Sequence, residues 1–247
     1  MARAAADAGV TVFGLSDHAP LFAHELDHPL PTTQMARSAW PAYLDEAREL
    51  RTRLASELPQ LAIRIGTEAD WLPGTQDVYR AELERANLDF VLGSVHEVGD
   101  VHIYRRDTHH LVKDADQLHR DYWCLTREAV QSGLFDILAH MDAVRARLPK
   151  PEADMSGEIS RTLDAIADSG IAVEINSAGL RKTRHLFPAS GILEGLVQRG
   201  VPLTFGSDSH RTSEVAFGYQ VALTELRRLG VKRLVAFRGR EPEWHGL

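Results

Sequence analysis

The chain has 247 residues, a formal net charge of −7 and a single cysteine. This length fits one α/β barrel or two small domains, and no linker-like stretch favours the second arrangement. The acidic balance argues against a nucleic-acid groove, because surfaces that follow a phosphate backbone need clustered Lys and Arg. One cysteine excludes a disulfide framework and a thiolate zinc site, so any metal must be held by His and carboxylate ligands.

Neither a membrane span nor a signal peptide is visible. No apolar run approaches the ~20 residues that cross a bilayer, and the N-terminal residues lack the apolar core of a signal peptide. We therefore expect a cytoplasmic protein that contacts neither membranes nor nucleic acid.

Helical and strand patterns alternate along the chain. Helical periodicity predicts helices over residues 1–8, 41–58, 77–86, 114–132, 156–169, 189–199 and 214–229. Short apolar runs predict strands over residues 10–15, 61–65, 88–92, 134–138, 171–175, 201–205 and 232–237. Near-continuous apolar strands separated by helices are typical of a parallel sheet covered on its outer side. About seven repeats predict one domain over residues 1–247 that forms a closed or nearly closed barrel, with an open doubly wound sheet as the alternative.

Residues 202–210, Pro-Leu-Thr-Phe-Gly-Ser-Asp-Ser-His, carry the clearest chemical signal. A short apolar strand runs into Gly206, and Asp208 and His210 follow with one residue between them. This spacing lets a carboxylate and an imidazole reach the same space above a strand end, where metal sites are commonly built. Alone, such a pair is more often a turn residue beside a surface histidine.

The same arrangement recurs at four other predicted strand ends. Taken singly, Glu68 is equally readable as a carboxylate at a helix N-terminus, and Asp17 as a helix cap beside a solvated His18. Because the carboxyl ends of parallel strands gather on one face of a barrel, however, the side chains at these ends are expected to converge. The set predicts a metal centre made of His18, Glu68, His96, His140, Asp208 and His210.

Six motifs in order, GLSDHAP, GTEADWLPG, GSVHE, SGLFDILAHMD, AVEINSAGLRK and PLTFGSDSH, resemble the histidinol phosphatase branch of the polymerase and histidinol phosphatase (PHP) superfamily. The resemblance extends from Ala8 to Arg240, and the shared order of the motifs makes it specific. It implies a distorted (β/α)7 TIM-like barrel that carries up to three divalent metal ions. The implied reaction hydrolyses L-histidinol phosphate, a small phosphate monoester, to L-histidinol and phosphate in histidine biosynthesis.

The resemblance also implies metal ligands. Glu68 corresponds to the carboxylate that bridges two ions, and Asp208 to a ligand of the first ion. Imidazoles serve the other two ions: His96 and His140 the second, His18 and His210 the third. Two to three Zn, Mn or Fe ions are therefore expected, because His and carboxylate ligands accept each of these metals.

Candidate catalytic and substrate-binding residues can also be named. Glu68 and Asp208 are the expected catalytic carboxylates: Glu68 would hold two ions together, and Asp208 or a nearby protonated group would donate a proton to the leaving alkoxide. Arg181 corresponds to a basic loop residue near the phosphate, and its planar guanidinium suits two phosphate oxygens. Arg145 is a second candidate for substrate binding. A solvated loop explains Arg181 and Lys182 equally well.

The chain departs from the family at its start. The family opens with a strand that carries His-x-His and a further histidine in the next loop, whereas residues 1–9 match the inside of the family's first helix. We expect that an N-terminal segment of about 20 residues, with the first strand, is missing here. The first ion would then keep only Glu68 and Asp208. Two alternatives stay open: a PHP phosphoesterase acting on another small phosphate ester, and an inactive metal-binding remnant.

Overall fold

The computed structural model describes residues 1–247, in which strands alternate with helices. The strands are β1 (Val12–Leu15), β2 (Ala62–Asp70), β3 (Phe90–Ser94), β4 (Glu97–Val98), β5 (Val101–His102), β6 (Ile137–Leu138), β7 (Ala172–Asn176), β8 (Leu203–Gly206), β9 (Arg233–Arg238) and β10 (Glu241–Gly246). The α-helices are α1 (Ala2–Asp7), α2 (Trp40–Glu57), α3 (Gln76–Ala86), α4 (Ala115–Gln131), α5 (Ser156–Ser169), α6 (Ala178–Lys182), α7 (Ser190–Gln198) and α8 (Tyr219–Arg228). None of the helices is long and apolar enough to cross a membrane.

Six strands form one curled parallel sheet in the order β1-β2-β3-β6-β7-β8. The register pairs Leu15 with Ile65, and Asn176 with Gly206. Because every strand in this sheet runs in the same direction, all of its carboxyl ends lie along one edge. The α/β class and the parallel sheet of a distorted TIM-like barrel, both predicted from the sequence, are confirmed.

The helices bury one apolar face against the outer side of this sheet. In α4, for example, Leu118, Tyr122 and Ala129 are buried at helical spacing. The helix starts after Asp114, whose carboxylate accepts a hydrogen bond from the backbone N–H of Gln117 at 3.0 Å. Packing of this kind fixes the ends of the strands, and thereby the side chains that follow them.

The concave side of the sheet is filled by a second, smaller apolar cluster. Its members come from the sheet strands and from β9: Phe90, Leu92, Ile137, Ala139, Ala172, Val235 and Phe237. The ring of Phe90 lies directly against Gly14 and Gly66, and a Cβ at either position would lie within 2.8 Å of the ring. Glycine is therefore required at both positions for the large ring to fit.

The sheet is open between β1 and β8. The seventh predicted strand exists as β9, but it pairs antiparallel with β10 instead of joining β8 in the sheet. A cavity of about 800 Å³ lies at this opening, lined in part by Val12, Phe13, Phe205, Ala236 and Phe237. The barrel is thus distorted to the point that one side is unpaired, and the cavity reaches from that side to the carboxyl ends of the strands.

Two aspartates hold the β9–β10 hairpin in place. Asp89 Oδ1 accepts a hydrogen bond from the N–H of Gly239 at 3.1 Å, and the two carboxylate oxygens of Asp136 share the Nε–H of Arg240 at 3.1 and 3.0 Å. Arg240 also donates from Nη2 to the carbonyl of Leu134 at 2.6 Å. These contacts lie just before β3 and β6, at the edge opposite the strand ends that carry the predicted ligands.

One predicted helix begins later than expected. The sequence predicts a helix over residues 214–229, whereas α8 begins at Tyr219. Ala216 and Gly218 have positive φ values of 56° and 72°, which an α-helix cannot contain. The segment before α8 is a loop with a short 3-10 turn, Thr212–Glu214.

Candidate metal centre

Three histidines surround the carboxylate of Glu68 at the carboxyl edge of the sheet. Glu68 Oε1 lies 3.1 Å from Nε2 of His140 and 3.6 Å from Nε2 of His96. Glu68 Oε2 lies 4.0 Å from Nε2 of His18. The ligand atoms of His18, Glu68 and His96 all lie within 4.8 Å of one another. This spacing is compatible with one cation held among them.

The strand register explains why these residues meet. His18, which follows β1, forms a parallel bridge with Glu68 in β2, and the next residue, Ala19, donates its N–H to the Glu68 carbonyl at 2.8 Å. His96 and His140 each come two residues after the end of their strands, β3 and β6. Since β2, β3 and β6 are neighbours in the sheet, their ends present the side chains to one place.

The pKa values of Glu68 and His96 in this cluster are strongly shifted. Burial opposes ionisation of Glu68, yet the imidazoles of His18, His140 and His96 hold its pKa well below the ordinary value. Burial also disfavours a charged His96, but the carboxylates of Asp70 and Glu68 raise its pKa to about 9. His96 is therefore protonated at neutral pH without a metal, and a bound cation would have to replace this proton.

The donor set fits a divalent metal ion. Nε2 of His96 and Nε2 of His140 face each other at 3.3 Å beside a buried carboxylate. The ring nitrogens of His18 and His140 that point away from Glu68, both Nδ1, are buried without hydrogen-bond partners. Nitrogen and oxygen donors in this combination suit zinc, manganese or iron.

A second polar group lies at the end of β8. Asp208 Oδ1 lies 3.1 Å from Nε2 of His210, and Oδ2 lies 3.1 Å from Nζ of Lys182. Burial opposes ionisation of Asp208, but the hydrogen bond from His210 and the charge of Lys182 lower its pKa to about 2. The cavity described above is lined by His18, Glu68, Asp208 and His210. The two groups therefore face a common space.

Two of these side chains sit on unusual backbone. His140 has φ 21° and Asp208 has φ 46°, both in the positive range that non-glycine residues seldom adopt. The N–H of His140 donates to Glu174 Oε2 at 3.1 Å, and Asn176 Nδ2 donates to the same oxygen at 2.9 Å. Strained backbone of this kind occurs preferentially at functional sites.

Comparison with known proteins agrees with this geometry. A sequence model of the PHP domain matches residues 1–178. The chain belongs to the PHP domain family. Its PHP fold superimposes on the crystal structure of histidinol phosphate phosphatase from Lactococcus lactis, determined with zinc, L-histidinol and phosphate, with a TM-score of 0.81. The two are 22% identical, and the match covers 98% of this chain and 90% of the other.

Two proteins that are similar to this chain in sequence are named as histidinol-phosphatases or probable histidinol-phosphatases. The PHP chain is 33% identical over 249 residues to a probable histidinol-phosphatase of Deinococcus radiodurans, covering 97% of this chain and 90% of that protein. It is 26% identical over 236 residues to the histidinol-phosphatase of Bacillus subtilis, covering 84% and 85%. The family predicted from the sequence motifs is confirmed.

The predicted substrate residues of the PHP chain lie outside the cluster around Glu68. Arg181 donates from Nη2 to the carbonyls of Ser207 and Asp208 at 3.2 and 3.0 Å, while its Nη1 is buried without a partner. Arg145 lies 3.2 Å from Oδ2 of the buried Asp142. Both arginines are therefore already partly engaged within the protein.

Two carboxylates near the candidate centre were not predicted from the sequence. Asp70 accepts a hydrogen bond from Nδ1 of His96 at 2.6 Å, and Glu174 supports the backbone of His140. Burial, reinforced by the charges of Asp208 and Glu68, raises the pKa of Glu174 to about 7. Asp70 stands two residues after Glu68 and so shares its face of the strand, and Glu174 is the one charged residue of the otherwise apolar segment 171–175. Both signals were available in the sequence.

Proposed function

We propose that this PHP chain hydrolyses L-histidinol phosphate to L-histidinol and phosphate with the help of divalent metal ions. The convergence of three imidazoles on the buried carboxylate of Glu68 carries the proposal, because it supplies the ligands that a metal-dependent phosphatase needs. The substrate follows from the relatives, which are named histidinol-phosphatases. This reaction belongs to histidine biosynthesis.

Two to three ions are proposed, with Glu68 shared between two of them. His96 and His140 would complete the ligand set of one ion, and Asp208 would be a ligand of the ion on the other side of Glu68. His18 and His210 remain candidates for a third. Zinc is the first choice, because the Lactococcus lactis structure contains it, and manganese or iron is compatible with the same donors.

Phosphate monoesters hydrolyse very slowly in water, so the enzyme must provide a nucleophile and neutralise phosphoryl charge. Bound divalent ions supply both, by lowering the pKa of a water molecule and by balancing the charge of the phosphoryl oxygens. The chain's own part is to hold Glu68 ionised and in place, which the surrounding imidazoles support.

The proton for the leaving alkoxide must come from another group. Because the pKa of Asp208 is about 2, this carboxylate carries no proton near neutral pH and suits the role of ligand. In the arrangement with two ions, where His210 binds no metal, it is the candidate donor, since the hydrogen bond to Asp208 raises its pKa and its side chain is 69% exposed.

Positive charge for the phosphate is proposed to come from Lys182 and Arg181. The ammonium of Lys182 lies 4.3 Å from the ring centroid of Tyr104, and that ring lies 6.0 Å from the imidazole of His140. Arg181 retains a buried, unpartnered Nη1 that can donate to an anion. Arg145 is kept as an outer substrate contact, because its Nε is paired with Asp142.

The deciding experiment measures inorganic phosphate released from L-histidinol phosphate, with added zinc or manganese and with a chelator. Release that the chelator abolishes supports the proposal. An aryl phosphate and a nucleoside monophosphate serve as comparison substrates, and equal turnover of all three would favour a different phosphoesterase. Bound metal without any release would favour an inactive remnant.

A further inference from the structure

We propose that Asp70 is the positioning residue that orients His96 as a metal ligand; this inference rests on the proposed metal-dependent function. Asp70 is the last residue of β2 and lies on the same face as Glu68, two residues earlier. Its side chain is buried, and Oδ1 lies 2.6 Å from Nδ1 of His96. The opposite nitrogen of that ring, Nε2, faces Glu68 and His140.

Asp70 is itself held from two sides. Ser94 Oγ donates to Oδ1 at 2.8 Å, and Gln34 Nε2 donates a short hydrogen bond to Oδ2. An ionised carboxylate can only accept hydrogen bonds, so Nδ1 of His96 must carry the proton in their shared bond. When His96 is neutral, its Nε2 is then the unprotonated nitrogen, and its lone pair points into the cluster.

The other histidines of the cluster have no such support. Nδ1 of His18 and Nδ1 of His140 are buried without partners. The ring of His102, from β5, lies nearly parallel to that of His96, with centroids 5.6 Å apart and an interplanar angle of 8°. His96 is thus fixed both at its rear nitrogen and on one face, while the rings of His18 and His140 lack a partner at Nδ1.

Gln34 extends this support to a distant part of the chain. It lies in the long loop between β1 and α2, and 36 residues separate it from Asp70 in sequence. A short 3-10 helix, Arg37–Ala39, begins three residues later. The position of this loop and the orientation of His96 are therefore connected through one buried carboxylate.

The test replaces Asp70 with asparagine and measures zinc affinity by competition with a chelator. Asparagine can present an N–H instead of an oxygen to His96, which permits the tautomer with the proton on Nε2. We expect zinc to bind about 10- to 100-fold more weakly, the usual effect of removing a carboxylate behind a ligating histidine. Asp89→Asn is the matched control: Asp89 is also buried and accepts backbone hydrogen bonds, but it lies at the other end of the strands.

A second measurement does not depend on the variant folding. Long-range ¹H–¹⁵N correlation spectra of ¹⁵N-histidine-labelled, zinc-loaded protein should show the His96 proton on Nδ1. A proton on Nε2, or zinc affinity within twofold of wild type in Asp70→Asn, would overturn the inference. Because neither measurement uses turnover, zinc binding without phosphate release would count against the proposed reaction and leave the role of Asp70 to be decided by affinity. A wild-type chain that binds no zinc would overturn both.

Discussion

The ammonium of Lys182 lies 3.1 Å from Oδ2 of Asp208 and so pairs with one of the candidate metal ligands. In this position the lysine balances the charge of Asp208 while the metal is absent. A divalent ion bound by Asp208 would release the ammonium toward an incoming phosphate. The contact thus opposes metal binding by Asp208, and its loss would free the ammonium for the substrate.

Lys182→Met should separate these two effects. We expect kcat/KM for L-histidinol phosphate to fall about 10- to 100-fold, because a hydrogen bond to a charged group contributes roughly 1.5–3 kcal/mol. Zinc affinity should stay equal or increase, since a competing cation is removed. Steady-state kinetics and chelator competition measure both. Lys150→Met, at an exposed position, is the matched control; unchanged kinetics in Lys182→Met would exclude the phosphate role.

Glu68→Gln should abolish the metal centre. The amide keeps the size of the side chain but removes the charge that three imidazoles surround, so we expect bound zinc and phosphate release both to fall by more than about 100-fold. Metal content after desalting and phosphate release are the measurements. Glu84→Gln makes the same chemical change at an exposed site in α3 and should match wild type. Full activity in Glu68→Gln would contradict the proposed centre.

Zinc binding should strengthen as the pH rises. The pKa of His96 is about 9 in the metal-free chain, so one proton must leave this ring for each ion bound at neutral pH. Affinity is therefore expected to increase about tenfold per pH unit between roughly pH 6.5 and 8.5. Competition titrations across this range measure the slope, and His96→Gln should flatten it. A flat affinity profile for wild type would show that the metal does not displace a proton from His96.

Ionisation of Glu174 should contribute a loss of stability to the metal-free fold as the pH rises. Its pKa is raised from 4.5 to about 7, so the folded chain binds an extra proton between these values, and stability falls as the pH rises through this window. Glu174→Gln removes this penalty. We expect the variant to gain about 3 kcal/mol over wild type on going from pH 4 to pH 8, at about 1.4 kcal/mol per pKa unit.

Urea unfolding with a chelator present tests this difference. Glu152→Gln, at an exposed position, is the control and should follow wild type at every pH. The same pH dependence in Glu174→Gln as in wild type would mean that Glu174 is not the titrating group.

The contact between Arg240 and Asp136 should contribute to stability but not to metal binding. Arg240→Met leaves the largely buried carboxylate of Asp136 unpaired, and we expect a loss of about 3 kcal/mol in the free energy of unfolding. The double variant, Asp136→Asn with Arg240→Met, should lose less free energy of unfolding than the sum of the two single losses. We expect the difference to be about 1–2 kcal/mol, because the two residues are in contact. Zinc affinity should be unchanged in all three variants, since the hairpin contact lies at the other end of the strands.

The sequence predicted the positions of most strands, and of the strand ends at which the candidate ligands lie, because both follow from local patterns. The apolar runs that precede Glu68, His96 and His140 correspond to β2, β3 and β6. Six parallel strands then place these ends along one edge without further information. The family motifs added the substrate, which no pattern of burial or charge contains.

Features that depend on distant contacts were not predicted. The failure of β9 to pair with β8 is a property of register and of the hairpin with β10, and neither is visible in an apolar run. The contact between Gln34 and Asp70 joins a loop to a strand end and has no local signature. Arg181 turns toward the carbonyls of Ser207 and Asp208 because α6 follows β7 directly, a geometry that the motif alone does not encode.

The positive φ values of His140 and Asp208 have a consequence for any directed evolution of this protein. Glycine at either position would relax the backbone and at the same time delete a candidate ligand. A library selected only for thermal tolerance should therefore accept glycine at residue 208, where the side chain is only partly buried, whereas one selected for turnover should keep Asp there. The two selections would therefore favour different residues at the same position. Such a difference would identify side chains that serve the chemistry and not the stability of the fold.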